Sequence, residues 1–261
     1  MINTVYRLVA PRRFEIAFED INLFGENAIV RPTYLSICNA DMRYYLGTRD
    51  AKVLAEKLPM ALIHEGVGEV FLDPTGTFKT GDKVVMVPNA PVEKDEFIAE
   101  NYLRSSKFCG SSMDGFLQEF VEISPKRLVK LPDDIDMTVA AFTEIVSVSV
   151  HAISRFDKIA HARRNTISVW GDGNLGYITS LFLKYHFPKS KIVVFGTSSD
   201  KLADFTFADE THLVNEVPDG FTTDHAFECV GGNGSPIAIE QIIGLIKPCL
   251  LYTSPSPRDK R

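Results

Sequence analysis

The first part of the chain alternates apolar and polar residues over short segments. Runs such as TVYRLVAP, NAIVRPTYLSI and HEGVGEVFLD carry β-branched and aromatic residues near two-residue spacing, with turn residues such as Gly76 and Gly81 between them. This pattern is typical of strands joined by tight turns. Pro11 and Pro32 fall where a central strand rejects proline, so we expect strand ends or edges there. The pattern predicts a β-rich domain, a twisted partial barrel.

The pattern changes in the second part of the chain. Apolar residues recur at helical spacing from Val139 to Ile153, after Asp133 and Asp134, which are suitable residues for a helix start. The segment NTISVWGDGNLGYITSLFLKYHF then contains a strand, a glycine turn and a helix in that order. We therefore predict an α/β protein with two domains, at residues 1–153 and 154–248.

The glycine turn has the spacing of a dinucleotide-binding site. Gly171, Gly173 and Gly176 form GxGxxG between a predicted strand and a predicted helix, which is the context that gives the motif its meaning. The first glycine allows the tight turn, the second admits the pyrophosphate, and the third allows helix and strand to pack. Asn174 and Leu175 open the helix, whose free N–H groups favour an anion.

The end of the next strand, KIVVFG, decides which dinucleotide is preferred. Enzymes that use NAD normally place an acid here to bind the ribose 2′-hydroxyl, whereas this chain has Gly196. No charge at that position opposes a 2′-phosphate. Donors for a phosphate follow directly, at Thr197, Ser198, Ser199 and Lys201. The sequence thus predicts NADP(H), with Asp200 as the one residue that argues for a displaced acid.

Composition excludes several classes of function. The 261 residues carry a net charge of −6 without a long basic run, which argues against nucleic acid as a partner. No stretch is long and apolar enough to span a bilayer, and the amino terminus lacks a signal peptide, so we expect a cytoplasmic protein. The four cysteines are scattered and form no CxxC pair, which predicts no disulfide framework.

Three residues form a candidate metal-ligand set. Cys38 follows an apolar strand, and His64 and Glu65 precede another. Cys38 or His64 alone is better explained as an ordinary interior side chain, and a His-Glu pair alone occurs by chance on many surfaces. Together, a thiolate, an imidazole and a carboxylate suit zinc. Glu144 is a separate anomaly, because it is an acid in an apolar run and needs an arginine, backbone amides or a metal as its partner.

The runs CNADMR and HEGVGEV resemble the medium-chain alcohol and polyol dehydrogenases, whose usual forms are CGTDxH and GHExxGxV. The resemblance implies a GroES-like catalytic domain followed by a doubly wound Rossmann domain. It also implies that Cys38, His64 and Glu65 lie at a catalytic zinc ion, with Asp41 hydrogen-bonded to the histidine. TEIVSVSVHA resembles EPLSVSVHA of the polyol dehydrogenases, which implies that Glu144 binds the zinc directly or through water.

Three departures from the family pattern bear on the subtype. Ala40 stands where the family has a hydroxyl residue for proton relay, and Arg43 stands where it has a histidine. An arginine near the substrate entrance suits a phosphorylated substrate, although a solvated surface arginine is an equal explanation. Relatives with a second zinc use four cysteines after the barrel strands, where this chain has only Cys109. We therefore predict one catalytic zinc and no structural zinc.

A closer resemblance is to the ribulose-5-phosphate reductases, carried by RPTYLSICNADMRYYLGTRD, LPMALIHEGVGEV, WGDGNLGYI and DHAFECVGG. It implies reduction of D-ribulose 5-phosphate to D-ribitol 5-phosphate with NADPH, for CDP-ribitol and teichoic acid or capsule polymers. It further implies a homodimer that associates with a cytidylyltransferase. The alternatives are a zinc polyol, alcohol or threonine dehydrogenase acting on an unphosphorylated substrate, and a non-catalytic nucleotide-binding relative.

The carboxyl end departs from that family. The family continues through IKPGG into further strands, whereas this chain reads IKPC and then LLYTSPSPRDKR. We expect residues 249–261 to be a non-native tail on a truncated Rossmann domain. On that basis, the chain is expected to bind metal but to fold poorly and lack turnover.

Overall fold

The computed structural model describes residues 1–248, together with the backbone of residues 252–253. The chain divides into two compact units, Met1–Glu144 and Ile145–Arg261. The predicted domain limits at 153/154 and at 248 stay predictions. Among the described residues, no helix has both the length and the apolar character needed to cross a membrane. The predicted tail lies outside the described residues, apart from 252 and 253.

The first unit is mainly β-structure, as the alternating pattern predicts. Its strands are β1 (Ile2–Ala10), β2 (Arg13–Asp20), β3 (Ala28–Ser36), β4 (Met60–Ala61), β5 (Glu65–Leu72), β6 (Lys83–Met86), β7 (Asn89–Ala90), β8 (Lys107–Phe108), β9 (Val121–Ile123) and β10 (Leu128–Lys130). Its helices are α1 (Asn39–Tyr45), α2 (Ala51–Lys57) and α3 (Met137–Ala140). The strands pair as β2-β1-β4, as β10-β6-β5-β3-β9 and as β7-β8, with antiparallel neighbours throughout.

Pro32 lies within β3, which has neighbours on both sides, and the sheet accommodates it in two ways. Pairing with β9 ends at Val30, so the strand has only β5 beside it at the proline. The register with β5 also shifts between Pro32 and Tyr34, which marks a bulge. Proline is tolerated at such edge and bulge positions of a strand, where pairing is already interrupted. Pro11 lies in the turn between β1 and β2.

The alternating apolar positions of the strands build the core of this unit. Leu8, Val30, Val70, Met86 and Phe116 are at most 1% exposed and belong to one cluster. Burial of such side chains stabilises the fold by about 1.5–3 kcal/mol each. This core includes residues of β3 and β5, and the candidate ligands lie at or next to the ends of these two strands.

The second unit is a parallel sheet with helices between its strands. Its elements are α4 (Thr143–Ile159, which starts in the first unit), β11 (Thr166–Trp170), α5 (Asn174–His186), β12 (Lys191–Gly196), α6 (Ser199–Leu202), β13 (Glu210–Leu213), β14 (His225–Glu228), α7 (Ser235–Leu245) and β15 (Tyr252–Thr253). The strand order is β13-β12-β11-β14-β15, and all neighbours are parallel. The order therefore reverses beside β11, and ligands of such sheets bind at the carboxyl ends of the strands at that point.

The helix predicted from 139 to 153 is divided in the structure. α3 ends at Ala140 and α4 begins at Thr143, whose hydroxyl donates to the Ala140 carbonyl at 2.6 Å. The first helix starts at Asp136, which accepts the Thr138 amide, and not at Asp133 or Asp134. Periodicity alone misses this break because the apolar spacing continues across it.

Candidate metal centre and dinucleotide turn

Cys38, His64 and Glu65 come together as the sequence predicts. One ligand atom from each lies within 4.8 Å of the others. The register of the sheet explains the meeting, because Ser36 at the end of β3 pairs with Glu65 at the start of β5. Cys38 is two residues beyond that pair, at the residue that precedes α1. Two adjacent antiparallel strand ends thus deliver three donor atoms of different chemistry to one place.

Asp41 secures the backbone on both sides of this group. It is 2% exposed and accepts the amides of Ile63 at 2.9 Å and Cys38 at 3.0 Å. Its Oδ1 lies 3.8 Å from Nδ1 of His64, which is too far for the hydrogen bond that the resemblance implies. Asp41 therefore fixes the two segments that carry the ligands, and its predicted bond to the imidazole stays a prediction.

The residue before His64 has a strained backbone. Ile63 has φ of +73°, a conformation that costs a β-branched residue about 1–3 kcal/mol. Its amide donates to Asp41, and its carbonyl accepts the Phe116 amide at 2.7 Å. These two bonds hold the strained turn that presents His64. Strain of this kind concentrates at functional sites.

The electrostatic surroundings of Cys38 suit a cation. Burial, together with the nearby carboxylates of Glu65 and Asp41, raises the pKa of the Cys38 thiol to about 12. His64 and Glu65 are 3% and 1% exposed, with Nε2 and Oε1 3.8 Å apart. Sulfur, nitrogen and oxygen donors in a buried, negatively charged group are the ligands that zinc takes. The residues present therefore fit a zinc ion.

Glu144 lies in the first turn of α4 and is 7% exposed. Its carboxylate is not within the 4.8 Å group that Cys38, His64 and Glu65 form among the described residues. The structure thus shows the predicted burial of this acid. Its predicted place at the metal stays a prediction.

Arginines follow the first ligand on and after α1. Arg43 is in the last turn of α1 and is partly exposed. Arg49, which belongs to no motif in the sequence, lies over the ring of Tyr44 with Cζ 4.2 Å from its centroid. Its positive charge acts to lower the pKa of Asp41, although burial is the larger effect and raises that pKa overall. The Nε of Arg49 is buried and has no hydrogen-bond partner among the described residues.

The glycine turn has the conformation that its sequence predicts. Gly171 has φ of +133°, which favours glycine, and its amide donates to the Phe195 carbonyl at 2.8 Å. Gly173 precedes α5 without a side-chain cap, and a Cβ there meets no atom within 4 Å. Open space therefore adjoins Gly173 at the positive end of the helix dipole, directly before the first amides of α5, those of Asn174 and Leu175. This arrangement fits a pyrophosphate.

The end of β12 differs from the expectation. Oδ2 of Asp172 accepts the Thr197 amide at 2.7 Å, the Thr197 hydroxyl at 3.1 Å and the Ser198 amide at 2.9 Å. The Ser198 hydroxyl in turn accepts the Lys201 amide at 3.4 Å. Two of the predicted phosphate donors thus bond within the protein. Asp172, in the middle of GDG, was missed because the motif leaves that position unspecified.

An open cleft of about 450 Å³ adjoins this turn. Its lining includes Asp172, Gly173, Asn174, Tyr177, Lys201 and Phe205. The cleft therefore combines the amino terminus of α5, a lysine ammonium and two aromatic rings. These are the features that bind the phosphates and the base of a nucleotide.

Comparison with known proteins adds three findings. Residues 25–133 match the alcohol dehydrogenase GroES-like domain family. Over 248 residues, the chain is 56% identical to ribulose-5-phosphate reductase 1 of Staphylococcus aureus and 55% identical to ribulose-5-phosphate reductase of Bacillus spizizenii, covering 95% of this chain and 73% of each relative. The crystal structure of S. aureus TarJ in complex with NADPH superposes with a TM-score of 0.80 at 49% identity, covering 98% of this chain and 75% of TarJ.

Proposed function

The chain belongs to the medium-chain alcohol dehydrogenases, among the ribulose-5-phosphate reductases, and from that membership we propose that it reduces D-ribulose 5-phosphate to D-ribitol 5-phosphate with NADPH. The predicted family, the GroES-like fold and the Rossmann fold are confirmed. The observation that carries the proposal is the 56% identity to a reductase of that name, in a chain that also brings Cys38, His64 and Glu65 together.

Cys38, His64 and Glu65 would hold one zinc ion, with Glu144 as a fourth ligand, direct or through water. When bound, zinc supplies a Lewis acid that polarises the C2 carbonyl of the substrate. We propose no structural zinc, because Cys109 is buried in the apolar core with its sulfur 3.2 Å from Arg127 Nη2. A single cysteine in that setting does not make a four-ligand site.

The residues of the chain itself move the proton and hold the cofactor. The C2 carbon receives a hydride from NADPH, its oxygen receives a proton, and NADP⁺ is released. Ala40 has no hydroxyl to relay that proton, so we assign the relay to Glu65 or Glu144, which are both buried carboxylates. The glycine turn from Gly171 to Gly176 would bind the pyrophosphate, and the segment from Gly196 to Lys201 the 2′-phosphate.

Several finer assignments belong to the same proposal. Arg43 would contact the substrate phosphate, since a guanidinium matches phosphate oxygens. The product would supply CDP-ribitol for teichoic acid or capsule polymers, which makes a cytidylyltransferase the expected partner. We further propose a homodimer and a cytoplasmic location, where NADPH and sugar phosphates are available.

The test is oxidation of NADPH with ribulose 5-phosphate, compared with ribulose, sorbitol and threonine. The chain covers 73% of the length of its reductase relative, so the assay is run on the 261 residues and on residues 1–248 continued with the remaining segment of that relative. We expect ribulose 5-phosphate to be the preferred substrate of the continued form. Preference for an unphosphorylated substrate supports another polyol dehydrogenase, and a zinc-free, inactive protein supports the non-catalytic alternative.

A further inference from the structure

We propose that Asp172 is a positioning residue for the 2′-phosphate of NADP(H), acting through the turn after β12. The inference rests on the proposed use of NADPH. Asp172 is the second residue of the glycine turn, and its carboxylate reaches across to the next strand of the sheet. Its three bonds, to the Thr197 amide and hydroxyl and to the Ser198 amide, converge on one oxygen.

The carboxylate occupies the space that an acid at the end of β12 otherwise takes. A Cβ on Gly196 would lie 2.7 Å from Cβ of Asp172, 2.9 Å from its Oδ2 and 2.9 Å from Cδ2 of Leu202, so a side chain at 196 collides first with this aspartate. Asp172 is half-buried, and burial acts to raise its pKa. The three bonds from Thr197 and Ser198, with Lys201 nearby, outweigh burial and hold the pKa below the usual range. Asp172 is therefore ionised at neutral pH.

The bonds to Asp172 determine where Lys201 lies. They fix Thr197 and Ser198, and the Ser198 hydroxyl then caps α6 by accepting the amide of Lys201. Lys201 and Asp172 line the same cleft beside the start of α5. The negative charge of Asp172 is satisfied by donors of the protein, so its repulsion of a 2′-phosphate is reduced. The lysine is held on a turn that Asp172 shapes.

Loss of Asp172 therefore affects one part of the cofactor more than the rest. The pyrophosphate depends on Gly173 and the amino terminus of α5, which the carboxylate does not bond among the described residues. The 2′-phosphate depends on the turn that the carboxylate holds. A positioning role predicts a selective loss of NADP(H) binding, whereas simple support of the fold predicts an equal loss for both dinucleotides.

The experiment measures dissociation constants of NADPH and NADH by nucleotide fluorescence for Asp172→Ala, Asp172→Asn and the control Asp219→Ala, an exposed aspartate elsewhere in the unit. For Asp172→Ala we expect NADPH to bind about ten-fold more weakly and NADH to change less than about three-fold, since three hydrogen bonds to the turn are lost. Asp172→Asn keeps an acceptor oxygen, so its NADPH dissociation constant should lie between those of the wild type and Asp172→Ala. Asp219→Ala should match the wild type.

Two outcomes overturn the inference: equal weakening of both dinucleotides, or tighter binding of NADPH by the alanine variant. If Asp172→Ala does not fold, Asp172→Asn replaces it, and the ratio of the NADPH and NADH dissociation constants decides in the same way. A wild-type protein that prefers NADH contradicts the proposed cofactor itself. A wild type that prefers NADPH, with an unchanged ratio in the variants, contradicts the role of Asp172 alone.

Discussion

Asp41 in the first unit and Asp172 in the second perform the same structural task in different surroundings. Each carboxylate accepts backbone amides from another segment of the chain, Ile63 for Asp41 and Thr197 and Ser198 for Asp172. Asp41 is 2% exposed and burial raises its pKa, whereas Asp172 is half-buried and its hydrogen bonds lower its pKa. The comparison shows that a carboxylate that accepts backbone amides can hold a buried group of metal ligands or shape an open cleft.

The largest expected effect is at the metal-ligand group of Cys38, His64 and Glu65, whose backbone Asp41 holds. Cys38→Ser should abolish zinc binding and turnover together, because the hydroxyl is a far weaker zinc ligand than the thiolate. Zinc is measured by atomic emission and rate by NADPH oxidation. Cys109→Ala is the matched control and should keep one zinc per chain. Retained zinc and rate in Cys38→Ser would refute the assigned site.

The two aspartates should then differ in their contribution to stability. Asp41→Ala leaves two backbone amides unpaired in a buried site, which costs about 3 kcal/mol. Asp172→Ala exposes its amides to water, and we expect a loss of about 1 kcal/mol or less. Urea unfolding followed by circular dichroism measures both variants. Equal losses would show that burial does not distinguish the two carboxylates.

A third prediction concerns the space beside Asp172. Because enzymes that use NAD normally place an acid at this position, Gly196→Asp is the substitution to try for NAD, but its Cβ overlaps Asp172. We expect the single variant to weaken both dinucleotides. The double variant Gly196→Asp with Asp172→Gly, which removes the Cβ of Asp172 as well as its carboxylate, should favour NADH over NADPH. Dissociation constants for both cofactors check this. If the ratio of the NADH and NADPH dissociation constants is the same in the double variant as in the wild type, the prediction is wrong.

The smallest expected effect is at the two arginines beyond Cys38. If Arg43 contacts the substrate phosphate, Arg43→Ala should raise KM for ribulose 5-phosphate several-fold and leave ribulose unaffected, since an exposed charge contact contributes about 1 kcal/mol. Arg49→Ala is the comparison, because Arg49 also follows the first ligand and has a buried Nε without a hydrogen-bond partner among the described residues. An increase confined to Arg49→Ala would move the phosphate contact to that residue.

Local motifs could be predicted from the sequence, whereas hydrogen bonds between residues far apart in the sequence could not. Gly171 and Gly176 are recognisable because strand, turn and helix are contiguous, and Cys38 and His64 because each stands in a family pattern. The bond from Ile63 to Asp41 joins residues 22 apart in sequence, and the bond from Thr197 to Asp172 joins residues 25 apart. Neither residue spacing nor hydropathy indicates such a contact. The break between α3 and α4, after Ala140, could not be predicted for a local reason: the helical spacing of apolar residues continues across it.

The most direct test of the account is zinc dependence of NADPH oxidation by ribulose 5-phosphate, measured on the continued form of the chain after chelation and after zinc is restored. We expect chelation to abolish the rate and about one equivalent of zinc per chain to restore it, as for a single catalytic site. A rate that survives complete removal of zinc, or a zinc-loaded protein that leaves ribulose 5-phosphate unreduced, would contradict it.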